Sequence, residues 1–274
     1  MSGFLRSVTA EVAKVLTTRM WWVIALVLFG YIAVLAGGLS GLFGAIQSGA
    51  LPASVGRGQA PPPAQLPALI YSFASSVGYV FPVLLGALAV TGEFRHQTLT
   101  PTFLAVPRRG RVLAAKLTTL VGFGAVLGVV ALLASVGVGA LVLAGFGVDP
   151  NLGDSATWAL FGRSVLAMAL WAAIGVGLGV LVPNQVASIV IVLAFTQFIE
   201  PLLRLASTFT DATAGIGRLL PGAASDALVG ASFFSIAAPG ASVLEWWQGG
   251  LVLLAYAIVL TVIGYVTTWR RDVT

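Results

Sequence analysis

The sequence predicts an all-α integral membrane protein with six transmembrane helices, an amphipathic helix before the first and a charged loop between the second and third. Three observations carry this. Only 8% of the 274 residues are charged and 58% are hydrophobic, whereas a soluble domain carries about a quarter charged residues. Apolar runs near twenty residues recur without strict alternation, so helices rather than a barrel satisfy the backbone in lipid. Basic residues cluster on alternate sides of those runs, as topology requires.

Residues 2–19 come first. Phe4, Leu5, Val8, Val12, Val15 and Leu16 recur at helical spacing, while Arg6, Ser7, Lys14, Thr17 and Thr18 fall largely elsewhere on the wheel. This pattern predicts a helix lying in the membrane interface. Helix 1 is expected over 20–39, with Trp21 and Trp22 at headgroup level. That run is too long for a signal-peptide core and reads as a retained anchor. Residues 40–66, rich in Gly, Pro and Ala, read as an outer loop. Helix 2 is expected over 67–91, kinked at Pro82.

Residues 92–111 form the most charged stretch. Helix 3 is expected over 112–147, about 50 Å at 1.5 Å per residue and so longer than a ~30 Å hydrocarbon core. Helix 4 is expected over 156–182 and helix 5 over 186–206. The tight turn at Pro183-Asn184-Gln185 predicts antiparallel neighbours. Residues 207–246 are moderately apolar but broken by Gly and Pro, too fragmented to cross. Helix 6 is expected over 247–269.

One side of this arrangement holds Arg6, Lys14, Arg19, Arg95, Arg108, Arg109, Arg111, Lys116, Arg270 and Arg271. The other holds Arg57 and Arg218, with Arg163 and Arg204 in helix ends nearer to it. The excess assigns the first side, with both chain ends, to the cytoplasm. The formal charge of +5 is thus a topological signal rather than one for nucleic acid. The absence of cysteine excludes disulfides and thiolate metal sites.

Catalytic signatures are lacking. Neither lysine, Lys14 or Lys116, sits in a phosphate-binding loop. His96 is the sole histidine, and there is no H-E-x-x-H or G-x-S-x-G. The expectation is a non-enzymatic chain without metal or cofactor of its own.

Ionisable groups within the membrane need partners or a purpose. Arg163 and Glu200 lie ~30 and ~22 Å above the 183–185 turn at 1.5 Å per residue, so an ion pair between helices 4 and 5 is expected, with Arg204 competing for Glu200 one turn away. With Gln197, these are the candidate gate residues. Gly124-x-x-x-Gly128 and Gly175-x-x-x-Gly179 predict close helix packing.

The loop itself carries Leu99, Phe103, Leu104 and Val106, apolar residues that must pack on something: a cytoplasmic partner or the protein's own helix ends. Glu93, Thr98-Leu99, Pro107, Arg111 and Lys116 follow one another in an order and spacing that resembles the membrane subunits of type-2 ATP-binding-cassette exporters. Glu200-Pro201 and Leu220-Pro221 also match, and the resemblance extends over nearly the whole chain. It implies a permease whose N-terminal helix is a connecting helix. Residues 92–111 would form a cytoplasmic coupling segment, with the coupling helix at about 96–106, and 207–246 an outer re-entrant segment. Residues Glu93, Arg95, His96, Thr98, Leu99, Phe103, Leu104, Pro107, Arg111 and Lys116 would couple it to the ATPase. Glu93 would anchor the coupling helix, with Arg95, Arg19 or Lys116 as candidate partners.

The resemblance further implies a dimer of permeases, identical or homologous, in a bacterial cell membrane. Separate ATPase subunits beneath it would supply ATP and magnesium. Helices 2 and 5 would line the path, where Ser72, Ser75, Ser76, Tyr79, Thr196 and Gln197 mix with Tyr71, Phe73, Phe81, Phe195 and Phe198. That lining favours a hydrophobic or amphipathic substrate, such as a drug or lipid. The alternative is a stand-alone secondary transporter or channel, which would need ion-coupling residues near the midplane.

Overall fold

The computed structural model describes residues 3–52, 61–207, 215–232 and 244–270. Parts of the expected outer loop (53–60, with Arg57) and re-entrant segment (208–214 and 233–243), together with Arg271, lie outside the described residues. Every regular element among the described residues is helical, and six runs are long and apolar enough to cross a membrane.

Helix α1 (Gly3–Thr17) turns Glu11 and Val15 inward and packs chiefly on the start of α6 (Arg109–Gly145). Helix α2 (Met20–Gln47) runs eight residues past its expected end at Leu39. Two of its glycines serve packing rather than termination: a Cβ on Gly44 would meet the Phe146 side chain at 2.5 Å, and one on Gly37 would meet Val138 at 2.9 Å. The helix ends instead at Gly49, whose φ of 76° turns the chain, with its N–H bonded to the Ile46 carbonyl and that of Leu51 to the Ala45 carbonyl. Leu28, Ile32, Ala36, Ser40 and Phe43 form one buried stripe, and the opposite face is exposed.

The second run, Pro63–Arg95, is two helices, α3 (Leu66–Ser76) and α4 (Val80–Arg95). The break falls at 77–79, one turn before Pro82 rather than at it. A proline ring clashes with the carbonyl four residues back, here that of Gly78. Residues 96–98 reverse the chain, with Gln97 at φ 54°. The two-turn helix α5 (Leu99–Ala105) follows. Pro101 sits in its first turn, where no intrahelical N–H is required.

Helix α6 is ~55 Å long by its 37 residues. Helix α7 (Ser155–Leu181) is the hub, packed on α4, α6 and the last helix, α11 (Trp246–Gly264). Its small residues make this possible. A Cβ on Gly124 of α6 would stand 2.8 Å from the Met168 carbonyl. One on Gly175 would stand 2.9 Å from the Val83 Cα, and one on Gly179 would stand 2.8 Å from the Ala87 carbonyl. Both small-residue spacings therefore mark helix contacts within the chain. Gly175→Val, forced against α4 backbone, is expected to cost at least the ~1–3 kcal/mol of an overpacked core and to lower the folded yield in a detergent unfolding assay. The same change at Gly122, where a Cβ meets nothing, should be tolerated.

The fifth run divides into α8 (Gln185–Ala194), a π-helical turn at Phe195–Ile199 and α9 (Glu200–Ala206). The wide turn precedes Pro201, which has no N–H for the ladder. Asn184 caps α8 by accepting the Ala187 N–H at 3.0 Å. Despite the short turn, α8 packs mainly on α4 and only slightly on α7, which corrects the expected neighbour relation.

Helix α10 (Pro221–Val229) is largely buried among α3, α7 and α11. Helix α11 ends in a second π-helical turn, Tyr265–Trp269. Both described chain ends lie at one end of the bundle, because Glu11 and Trp269 each contact α6 near its start.

Candidate functional site: two buried charge clusters

The first cluster lies at the end of the bundle that carries α1. It uses both lysines of the chain. Glu11 Oε1 accepts from Lys14 Nζ at 2.6 Å, and its Oε2 accepts from Lys116 Nζ at 2.5 Å. Glu93 Oε1 lies 2.8 Å from Lys14 Nζ and 3.0 Å from Lys116 Nζ. Two carboxylates and two ammonium groups form a neutral node joining α1, the end of α4 and the start of α6. Lys116 is 2% exposed. Burial alone would raise the Glu11 carboxyl, but the charge and hydrogen bond of Lys116, with those of Lys14, hold it below its ordinary value. Burial opposes the charge of Lys14 too, but its hydrogen bonds to Glu11 and Glu93 hold it above.

Of the candidate partners for Glu93, Lys116 is therefore the one found. Arg95 instead donates to Gln185 Oε1 at 3.0 Å, tying α4 to α8. Glu11 was not among the candidates. Its signal was available: it is the only carboxylate before Glu93 in the sequence, and it sits one turn from Lys14.

The apolar residues of the charged loop mostly face inward. Leu99 is fully buried, and Phe103 and Val106 pack on the core. Phe103 meets the Trp269 ring edge-on at 5.5 Å and stacks under Arg109, 5.0 Å from its ring centre. Trp269 donates its indole N–H to the Arg109 carbonyl at 3.1 Å. The protein's own helix ends thus receive three of the four side chains. Only Leu104, 79% exposed, is offered outward. His96 and Thr98 are exposed on the same turn. Pro107 and Arg111, with Arg6 and Arg108, line a groove of about 620 Å³ between α1 and the start of α6.

The second cluster lies at the junction of α9 and α10. Glu200 Oε1 accepts the backbone N–H groups of Gly222 (2.5 Å) and Ala223 (3.2 Å) and the Arg204 guanidinium at 3.1 Å. Arg204 also reaches Asp226 Oδ2 at 2.7 Å, and Ser76 donates to Asp226 Oδ1 at 3.0 Å. Glu200 therefore occupies the N-terminus of α10, where helix N–H groups lack partners and negative charge is favoured.

The expected Arg163–Glu200 pair does not form, because α8 and α9 lie away from α7. Arg163 sits 4.8 Å from the Trp246 ring centre. A Cβ on Gly230, just past the C-terminus of α10, would lie 3.4 Å from its guanidinium. The two residues stand at opposite poles of one short helix. Gln197 donates only to its neighbour Thr196, at 3.3 Å. Trp171 stacks on Tyr79 at 4.3 Å and donates to Ser225 at 3.0 Å, linking α7, α4 and α10. Asp226 and Trp171 were not anticipated, although a lone acid in the apolar stretch 219–232 required a partner.

The fold and these clusters define an all-α protein with six helices long and apolar enough to cross a membrane and two buried charge clusters, the first balanced and the second, among the described residues, with two carboxylates to one guanidinium. No protein-family model matches the chain, and no curated protein is similar to it.

Proposed function

We propose that the chain is the membrane-spanning subunit of an ATP-driven exporter of the ATP-binding-cassette type. In this reading it works as a dimer in a bacterial cell membrane, with the α1 end in the cytoplasm. Separate ATPase subunits dock there and bind ATP and magnesium. The supporting observation is how α5 is mounted. The Leu99 and Phe103 side chains clip it to the bundle and to Trp269. Glu93, whose carbonyl accepts the Thr98 N–H at the entry to α5, belongs to the Glu11–Lys14–Glu93–Lys116 node that fuses α1, α4 and α6. A push on α5 would reach the second and third spans and α1 as one block. Leu104 is the apolar contact left for a partner. The substrate is taken to be hydrophobic or amphipathic.

The test is partnership. The full chain, extracted from its native membrane, should co-purify with a soluble chain carrying a phosphate-binding loop. Leu104→Asp should keep the fold and reduce that co-purification at least tenfold. Glu93→Ala should leave insertion intact and weaken substrate-stimulated ATP hydrolysis. Repeated recovery of the chain alone would remove the reading.

One observation favours a stand-alone transporter: the second and fifth spans are both interrupted near their middles, and discontinuous helices mark substrate sites in such proteins. Substrate uptake by liposomes holding this chain alone, without ATP, would decide for it.

A further inference from the structure

The two helix interruptions face each other. Tyr79, at the start of α4, donates its hydroxyl to the Thr196 carbonyl in the π-helical turn at 3.3 Å. Beside this contact is a cavity of about 150 Å³ lined by Ser76, Val77, Tyr79, Thr196, Gln197, Glu200, Pro201 and Arg204. Three features of its wall bear on what it would hold.

Size comes first. A cavity near 150 Å³ takes one benzene-sized group, which is the head of an amphiphile and not the whole of it. Charge comes second. Among the described residues the cluster holds two carboxylates, Glu200 and Asp226, against the single guanidinium of Arg204, which is already bonded to both. Glu200 is 2% exposed, and its Oε1 takes every donor while its Oε2 is buried without a hydrogen-bond partner. An unsatisfied buried carboxylate oxygen is costly unless something positive or protic completes it. The third feature is the surroundings. Phe198, Ile199 and Leu202 on the adjoining turns are exposed apolar side chains, a surface along which a hydrocarbon tail can lie while its head is held inside.

We infer that this cavity binds the ammonium head of a cationic amphiphile entering from the bilayer. The Glu200 carboxylate would be its counter-ion and the Phe198–Leu202 face would carry the tail. That such a molecule is also the transported substrate rests on the exporter reading; that it binds does not.

The experiment uses the full chain in maltoside micelles and equilibrium dialysis of labelled dodecyltrimethylammonium, corrected for partition into empty micelles. One saturable equivalent per chain is expected, displaced by tetramethylammonium and not by dodecyl sulfate. Glu200→Gln keeps an acceptor for the α10 terminus but replaces the second oxygen with a donor, and should weaken binding at least tenfold. Val77→Phe leaves every charged side chain in place and fills the cavity, and should do the same. No saturable component, preferential binding of dodecyl sulfate, or unaltered binding in Val77→Phe would each overturn the inference. The dialysis needs no ATPase, so the two readings fail separately: saturable binding here, together with repeated recovery of the chain alone from its native membrane, would sink the exporter reading and leave this site standing.

Discussion

Lys116→Met should be among the most destabilising single substitutions at the basic end of the molecule. The lysine bridges Glu11 and Glu93, and all three are buried. Removing one partner of a buried ion pair leaves an uncompensated charge and costs about 3–5 kcal/mol. The loss should be read by dodecyl sulfate unfolding in mixed micelles, with α1 becoming protease-sensitive before the rest. Lys14 differs. Its side chain is 39% exposed, so water replaces much of what it gives, and Lys14→Met should cost about 1 kcal/mol or less, as for exposed pairs. Combining Lys116→Met with Glu11→Gln should recover a large part of the loss, since one positive and one negative charge leave together. If the double variant is as unstable as the sum of the singles, the node is not a coupled unit.

The same node sets a pH dependence with a definite sign. The Glu11 carboxyl is held below its ordinary value, so the stability it contributes is complete above 4.5 and is lost as pH falls through the lowered value. The Lys14 ammonium is held above its ordinary value, so its share is complete below 10.5 and is lost as pH rises through the raised value. Attachment of α1 should therefore be flat between those limits and weaken outside them. Protease accessibility of α1 in the extracted protein is the measurement.

All six runs long and apolar enough to cross a membrane were legible in the sequence, because lipid imposes a length and a composition on each helix. What was not legible follows from packing. Helix α2 outlasts Leu39 because Gly44 accommodates Phe146 from a segment some hundred residues away, a contact no local pattern contains. The proline at 82 announces a break, but the break sits at the carbonyl it displaces, near Gly78. Leu99 and Phe103 could equally have faced a partner or the bundle; Trp269, from the far end of the chain, decides it. Both buried clusters were half visible. Glu93, Lys116, Glu200 and Arg204 stood out as charges near or within apolar runs. Glu11 and Asp226 were hidden by lying on segments read as an interfacial flank and a fragmented loop.

Glu200→Leu is expected to be the most damaging change at the other end, and exchanging charges between Glu200 and Arg163 should not repair it. Leucine would strip the acceptor from the Gly222 and Ala223 N–H groups and from one edge of Arg204. Each buried donor left without a partner costs about 1–3 kcal/mol, so the sum reaches several kcal/mol. Arg163→Leu should cost far less. It loses a helix-terminus interaction of about 0.3–1 kcal/mol and a cation–π contact of about 0.5–1 kcal/mol or somewhat more. In the exchanged pair, Glu200→Arg with Arg163→Glu, a cation would sit at the N-terminus of α10 beside Arg204, and an anion would sit at its C-terminus against Trp246. Both poles of the helix would be opposed, so the double variant should be at least as unstable as Glu200→Arg alone. Recovery of stability would mean that the two side chains meet directly. The distinction matters because a helix held electrostatically at both ends moves as a rigid piece. Any rearrangement of α9, which supplies Glu200, Pro201 and Arg204 to the wall of the cavity beside Tyr79, would then carry α10 with it in a single step.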